Sequence, residues 1–342
     1  MQRHRQRRIT RVLVMMAIGL ALATLAERKL SVFAAALNAA LNAPLAAADK
    51  AVAITIDDLP APGGGLVQNT VAGLRENTQK LLAACRKAGI PVVGFVNESK
   101  LVVKGETDAD RAGREAALKL WTDNGFELGN HTFTHSSLSN GTLEAFKQDV
   151  IDGEPVTRRL MQEKGGTLRY FRHPFLHVGS TLDIRRASEA FLAEHGYTIA
   201  PVTVDAKDYI YASVYATAVR RGDKDLAAKL AADYLRYSDD RFAFAEETAT
   251  RLLGRDINHV LLTHANAINA DHFGALAAVL KKRGYRFITL EEALTDDAYK
   301  QPDTYVGTWG HTWLRHWEVT AGKTPVEPID PPDWVMKLYA AR

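Results

Sequence analysis

The stretch Ala51-Val52-Ala53-Ile54-Thr55-Ile56-Asp57-Asp58 decides the fold. Six apolar or β-branched residues in a row read as a strand buried on both faces, which is the pattern of a parallel sheet. The chain then turns abruptly polar at two adjacent acids. Downstream, residues 70–88 carry a helical pattern with Val71, Leu74, Leu81 and Leu82 on one side, and Gly89 stops it. Residues 90–96 (IPVVGFV) read as the next strand and residues 109–124 as a helix ended by Gly125. Residues 126–129 form a short strand. Helical pieces are expected at 142–151 and 155–164, with Pro155 at a first helical position. A strand at 168–171, a helix at 182–195 and a strand at 197–204 follow. Residues 212–254 read as long, polar and helical, with alternating charges that suggest an insertion presenting a solvated face or a lid. The series closes with a strand at 259–263, a helix at 270–283 and a strand at 285–290.

Such alternation implies parallel strands covered by helices. Seven or so repeats imply a closed or nearly closed barrel, whose chemistry gathers at the carboxyl ends of the strands. An open doubly wound sheet has the same periodicity and is the alternative.

The chain has 342 residues and is 46% hydrophobic, the composition of an ordinary globular protein. Its single cysteine, Cys85, lies in the apolar pattern of a helix, so neither an internal disulfide nor a cysteine-based zinc site is available. The first residues are different in kind. Arg3, Arg5, Arg7, Arg8 and Arg11 precede an uncharged apolar run from Val12 to Ala26, and alanine-rich cleavage candidates follow at residues 21–23 and 46–48. This predicts an export signal, placing the protein in the periplasm or at the cell surface, with an uncleaved anchor or a misassigned start codon as alternatives. Arg7-Arg8 is a weak match to a twin-arginine signal. Residues 1–48 hold seven Lys/Arg against Glu27, so the net +3 of the whole chain leaves −3 for the rest. A mildly acidic body lacks the basic footprint of a nucleic-acid binder. No stable protein partner is implied.

The polar residues at strand ends carry the chemistry. Asp57 and Asp58 repel each other where they stand, and a cation would remove that cost for one of them; a pair of solvated loop acids is the plainer alternative. His131 and His135, in Gly129-Asn130-His131-Thr132-Phe133-Thr134-His135, are spaced to share one side of a single helical turn, as a divalent metal needs from two nitrogens. Two surface or capping histidines would have the same spacing. Two histidines and one carboxylate make an open three-ligand site. Arg172, Asp205 with Asp208, and His264 end three further strands. In a barrel all five ends converge on one mouth.

In this order the motifs resemble those of the polysaccharide deacetylases of carbohydrate esterase family 4, over roughly residues 50 to 295. The family's Thr-Phe-Asp-Asp appears as Thr55-Ile56-Asp57-Asp58, its His-Ser/Thr-x-x-His as His131 to His135, and its Arg-x-Pro-Tyr/Phe as Arg172-His173-Pro174-Phe175. Its Asp-x-x-Asp-Trp appears as Asp205-Ala206-Lys207-Asp208-Tyr209 and its Leu-x-His as Leu262-Thr263-His264. Ile56 and Tyr209 depart from the family's aromatic and tryptophan. The segment 210–257 is longer than the resemblance leads one to expect.

The resemblance implies an α/β fold, a distorted, incompletely closed (β/α)7 barrel over residues 49–295 with a helical insertion late in the barrel, followed by a tail at 296–342. It implies one divalent ion, zinc with cobalt or nickel as alternatives, on Asp58, His131 and His135. It implies Asp57 as base, His264 as acid, Asp208 and Arg172 as the groups that tune them, and Pro174, Phe175 and Tyr209 against the substrate. The expected reaction is removal of an N-acetyl group from an amino-sugar residue of a peptidoglycan or chitin-like glycan. A deformylase or other C–N hydrolase, an O-acetyl esterase, and a carbohydrate-binding protein without turnover are the alternatives.

Elsewhere plainer readings are preferred. Gly63-Gly64-Gly65 lacks the Lys-Ser/Thr of a phosphate loop and reads as a flexible loop beside the site. His173 and His177 read equally as surface-loop residues or as groups near the substrate. Trp309, Trp313 and Trp317 recur every four residues, a stripe that favours packing of a terminal helix over stacking on sugar rings.

Overall fold

A computed structural model describes residues 50–62 and 65–341. The leader and the Gly63-Gly64 pair lie outside the described residues. No helix among those described is long and apolar enough to cross a membrane.

Strand β1 (Ala51–Leu59) is buried along nearly its whole length and sits centrally in the sheet. It pairs in parallel with β2 (Val92–Val96) on one side and β7 (His259–His264) on the other. Its apolar run has no polar face because both faces are covered, as parallel sheets require. Beyond β2 lie β3 (Glu127–Asn130), β4 (Tyr170–Phe171) and β5 (Thr198–Ile199); beyond β7 lies β6 (Val204–Asp205). The order is therefore β5-β4-β3-β2-β1-β7-β6, all parallel, and a short β8 (Arg286–Ile288) pairs with the start of β1.

The two ends of this sheet, β5 and β6, are consecutive in the chain and separated by four residues. That short link is possible only if the sheet curls until its ends approach. The result is the incompletely closed (β/α)7 barrel expected from the sequence. The strand expected at 197–204 is thus two strands at opposite ends of the sheet. Pro201 lies between them, lacking the N–H that a continuous ladder would use.

The helices begin on the polar residues that cap them. Thr70 caps α1 (Val71–Ala88), with its side chain accepting from Gly73 N, and Gly89 closes the helix in the left-handed conformation. Thr107 and Asp110 form a reciprocal capping box on α2 (Asp108–Asp123). The chain continues through α3 (Leu143–Asp152), α4 (Pro155–Gln162) and α5 (Leu182–Glu194). The insertion between β6 and β7 is two helices, α6 (Asp208–Arg220) and α7 (Lys224–Leu253), broken at Gly222, whose φ is 72°, and restarted by the Asp223 cap. The sequence pattern suggested a solvated face or lid. Instead α6 buries Asp208, Ile210, Tyr211 and most of its following residues, so it is a core element. After α8 (Ala267–Lys282) and α9 (Leu290–Ala293), the tail forms α10 (Trp313–Thr320) and α11 (Asp333–Ala340). The tail seats itself where the barrel fails to close: Trp313 N donates to Val202 O at 2.7 Å, in the link between β5 and β6.

Candidate active site

The motifs lie at or just beyond the carboxyl ends of the strands, and these ends surround one cavity of about 610 Å³. Asp57, Asp58, His131, His135, Phe175, Asp205, Tyr209 and His264 all line it. Adjacent strand residues normally point to opposite faces. Asp57 and Asp58 escape this because they lie within β1, where the pairing register shifts between Ile56 and Leu59 and Asp58 takes φ 69°. The irregularity turns both carboxylates toward the cavity, the re-aiming role of a bulge.

The two histidines do not share a helical turn. Residues 131–137 form a loop in which Thr132 and His135 both have φ 64°. Such conformations disfavour residues with a Cβ and persist where the surroundings hold them. Here Asp149 on α3 does the holding. Its carboxylate accepts from Thr134 N at 3.1 Å, Thr134 Oγ1 at 2.9 Å and Ser136 Oγ at 2.6 Å. Asn130 Oδ1 accepts from Thr132 N at 2.7 Å, and Asn97, just after β2, donates to His131 O. The loop brings the imidazole centroids to 4.8 Å apart. The ligand atoms of Asp58, His131 and His135 all lie within 4.8 Å of one another.

The protonation states suit a cation. Burial holds His131 well below the usual histidine value, and it holds His135 down at about 4, so both are neutral near pH 7 with a lone pair to offer. His131 Nδ1 lies 2.7 Å from Arg172 O, which leaves Nε2 for a ligand. For Asp58 burial works upward, but the Lys100 ammonium and the nearby histidines outweigh it and hold the carboxyl well below the carboxylate range. Two neutral imidazoles and a carboxylate fit a divalent ion of borderline softness. One contact competes with it: Lys100 Nζ lies 2.8 Å from Asp58 Oδ1.

Asp57 has a different surrounding. It is buried, and burial raises it to about 6 against the opposing charges of Arg172 and His264. Its Oδ2 meets Arg172 Nη1 at 3.4 Å, while Oδ1 is buried with no partner within the protein. Arg172 is fully buried and fixed by Thr55 Oγ1 at 2.9 Å, with Thr55 donating in turn to Leu261 O. Directly opposite Asp57 in the β1–β7 ladder stands His264. Its Nδ1 lies 2.7 Å from Asp208 Oδ1. Burial disfavours the imidazolium, but the Asp208 carboxylate prevails and raises His264 to about 10. Asp208 is itself held by His264 N, Asn266 and Asn269, each within 2.8 Å of Oδ2. Phe175, in a turn with φ 57°, packs edge-on to His135 at 4.3 Å, next to the buried Pro174. Tyr209 approaches His264 edge-on at 6.3 Å.

Lys100, Asn97, Asp149, Asn266 and Asn269 carried no expectation from the sequence. The only available signal was their position one to five residues past a strand end, which for Asp149, on a helix, was absent. His173 and His177 are not surface-loop residues: His173 stacks on Phe146 in the interior, and His177 binds Ser137 at the cavity wall. The tryptophan stripe divides. Trp313 and Trp317 are buried, whereas Trp309 is 75% exposed at the cavity rim.

The polysaccharide deacetylase family model matches residues 45–199, which contain the first three motifs. No curated protein matches the chain significantly. Among solved structures, it is similar to a family 4 carbohydrate esterase from Streptomyces lividans in complex with acetate, at 21% identity and TM-score 0.43, covering 71% of this chain and 95% of that one. It is similar to a polysaccharide deacetylase from Bacillus cereus, at 16% identity and TM-score 0.47, covering 70% and 91%. It is also similar to a carbohydrate esterase family 4 pseudoenzyme from Bacillus anthracis, at 15% identity and TM-score 0.45, covering 72% and 65%.

Proposed function

We propose, from the match of residues 45–199 to the polysaccharide deacetylase family model, that this protein hydrolyses the N-acetyl group of an amino-sugar residue in a glycan with the help of one divalent ion. The observation that carries the reading is the convergence of Asp58, His131 and His135 in one cavity with a second, oppositely tuned pair, Asp57 and His264.

Amide hydrolysis needs an activated water, a sink for the developing negative charge, and a proton for the departing nitrogen. A divalent ion on Asp58, His131 and His135, zinc by the donor set, would supply Lewis-acid polarisation of the acetyl carbonyl and acidify a water. Asp57, raised to about 6, is ionised at neutral pH and basic enough to take the water's proton. Its unpartnered Oδ1 is the acceptor left free for it. Arg172 holds the other oxygen and keeps the buried carboxylate charged. His264, protonated at neutral pH, delivers a proton from Nε2 to the leaving amine, since its Nδ1 is engaged by Asp208. Without that proton the intermediate would expel water rather than amine. Base and acid are thus pushed apart in pKa by their surroundings, the arrangement hydrolysis at neutral pH requires. The Phe175 backbone N–H would stabilise the oxyanion.

The test is acetate release from N-acetylglucosamine oligomers by protein whose metal content has been measured, with a formamido sugar and an acetylated xylan in parallel. Acetate from the amino sugar is expected. Formate release, or release only from the xylan ester, would transfer the site to a different bond.

A second reading, a carbohydrate-binding protein without turnover, is favoured by one contact, the Lys100–Asp58 pair standing where a cation would bind. Glycan binding by metal-loaded protein with no acetate released would establish it.

A further inference from the structure

We propose that residues Thr308–Gly310 of the tail form a second sugar-binding position, with the indole of Trp309 as the platform on which the pyranose next to the reacting residue stacks. The proposal rests on the deacetylase reading above and adds where the neighbouring residue of that glycan binds.

Three observations carry it. The tail reaches the same cavity as the metal-ligand cluster: Thr308, Trp309 and Gly310 line it, although they lie well outside the family-matched segment. Trp309 is 75% exposed there, and the other exposed aromatic side chains of the wall, Phe175 at 56% and Tyr209 at 45%, share the same mouth. A tryptophan serving only to pack the tail would be covered, as Trp313 and Trp317 are. The cavity volume of about 610 Å³ is that of a site for a whole small ligand, more room than an acetamido group needs.

The platform is held in place. A Cβ on Gly310 would stand 1.6 Å from Phe175 O, so only glycine lets the tail lie against the Phe175 turn. Tyr305 donates to Trp309 O at 2.9 Å, and Gly307 N donates to Gly179 O at 3.1 Å. Tyr305 stacks on His316 at 4.2 Å, and Arg185 ties Asp303 and Tyr305 O together behind it. An exposed indole on so fixed a backbone loses little freedom when it binds.

The chemistry of the lining selects the occupant. A pyranose has an apolar face of C–H groups and a polar edge of hydroxyls. The wall offers aromatic faces from Trp309, Phe175 and Tyr209, alternating with hydrogen-bonding groups from Asn140, His177 and Asp205. An apolar peptide would leave those polar groups unpaired.

The test compares N-acetylglucosamine dimer and tetramer as substrates for metal-loaded wild-type protein, Trp309→Ala and Trp309→Phe. The preference for tetramer over dimer in kcat/KM should fall about tenfold in Trp309→Ala, a loss of ~1.4 kcal/mol of binding, and Trp309→Phe should restore part of it. An unchanged preference, with acetate still released, would overturn the subsite and leave the deacetylase reading intact. Should wild-type protein release no acetate from either substrate, the deacetylase reading fails, and titration of tetramer against intrinsic tryptophan fluorescence decides the subsite. About tenfold weaker binding by Trp309→Ala supports it, and equal binding overturns it.

Discussion

His264 and Asp208 show how a single pair can set both a reaction and a stability profile. His264 is raised to about 10, so its bond to Asp208 contributes stability that is fully present below the ordinary histidine value of 6.5 and lost as pH rises through about 10. In Asp208→Asn burial, which favours the neutral ring, is opposed only by the Asp57 and Asp58 carboxylates. Thermal unfolding from pH 6 to 10 should therefore show a decline in wild-type stability that is absent from the variant. The alkaline limit of acetate release should move to lower pH in the variant. A variant with an unshifted limit would remove His264 from the role of acid. Lys100 supplies a second residue-scale prediction. Its ammonium and a divalent cation compete for the same Asp58 oxygen. Lys100→Met should bind zinc roughly tenfold more tightly by calorimetry, a difference of ~1.4 kcal/mol. Equal or weaker affinity would mean that the lysine swings aside at no cost.

At the scale of elements, the site depends on loops whose shape the sequence concealed. The spacing of His131 and His135 suggested a helical turn, and their meeting was foreseen for that reason. They do meet, but through two left-handed residues clamped by Asp149. Nothing local in the sequence reveals such a clamp, because Asp149 sits on a helix more than a dozen residues away. Asp149→Ala should weaken zinc binding about 10- to 100-fold, the usual effect of losing a group that orients ligands, with the far-ultraviolet spectrum retained. Unchanged affinity would show that the loop holds its shape without it. The strand ends themselves were legible, since a polar residue straight after an apolar run marks the barrel mouth. Asp57, Asp58, Arg172 and His264 stand out by that sign, Asp208 lies three residues beyond Asp205, and the roles of all five come from the family resemblance. The split of residues 197–204 into β5 and β6 was not, because apolar composition is the same whether one strand continues or two strands part around Pro201. Likewise most charges of residues 212–254, the buried Arg241 excepted, belong to the outer faces of α6 and α7, and they disguised the tyrosines and alanines packed inward.

The described residues form a curled sheet whose unclosed edge is met by the tail that follows it. Trp313 N binds the link between β5 and β6, and Trp317 is buried with Tyr299 edge-on at 5.7 Å. Trp317→Ala should cost about 3–5 kcal/mol in urea unfolding, as large aromatic truncations in a core do. A cost below ~1 kcal/mol, the scale of most surface substitutions, would make the tail an ornament rather than part of the barrel. The same tail carries Trp309 to the cavity, so closing the fold and shaping the mouth are tasks of one segment. The central claim is narrower than any of these: one ion, held by residues from the ends of β1 and β3. Anomalous diffraction at the zinc edge, on crystals grown with equimolar zinc, tests it most directly. The account predicts a single site with Asp58 oxygen and the nitrogens of His131 and His135 at about 2.0–2.2 Å. Full zinc occupancy elsewhere, or an empty site in which Lys100 keeps Asp58 to itself, would contradict it.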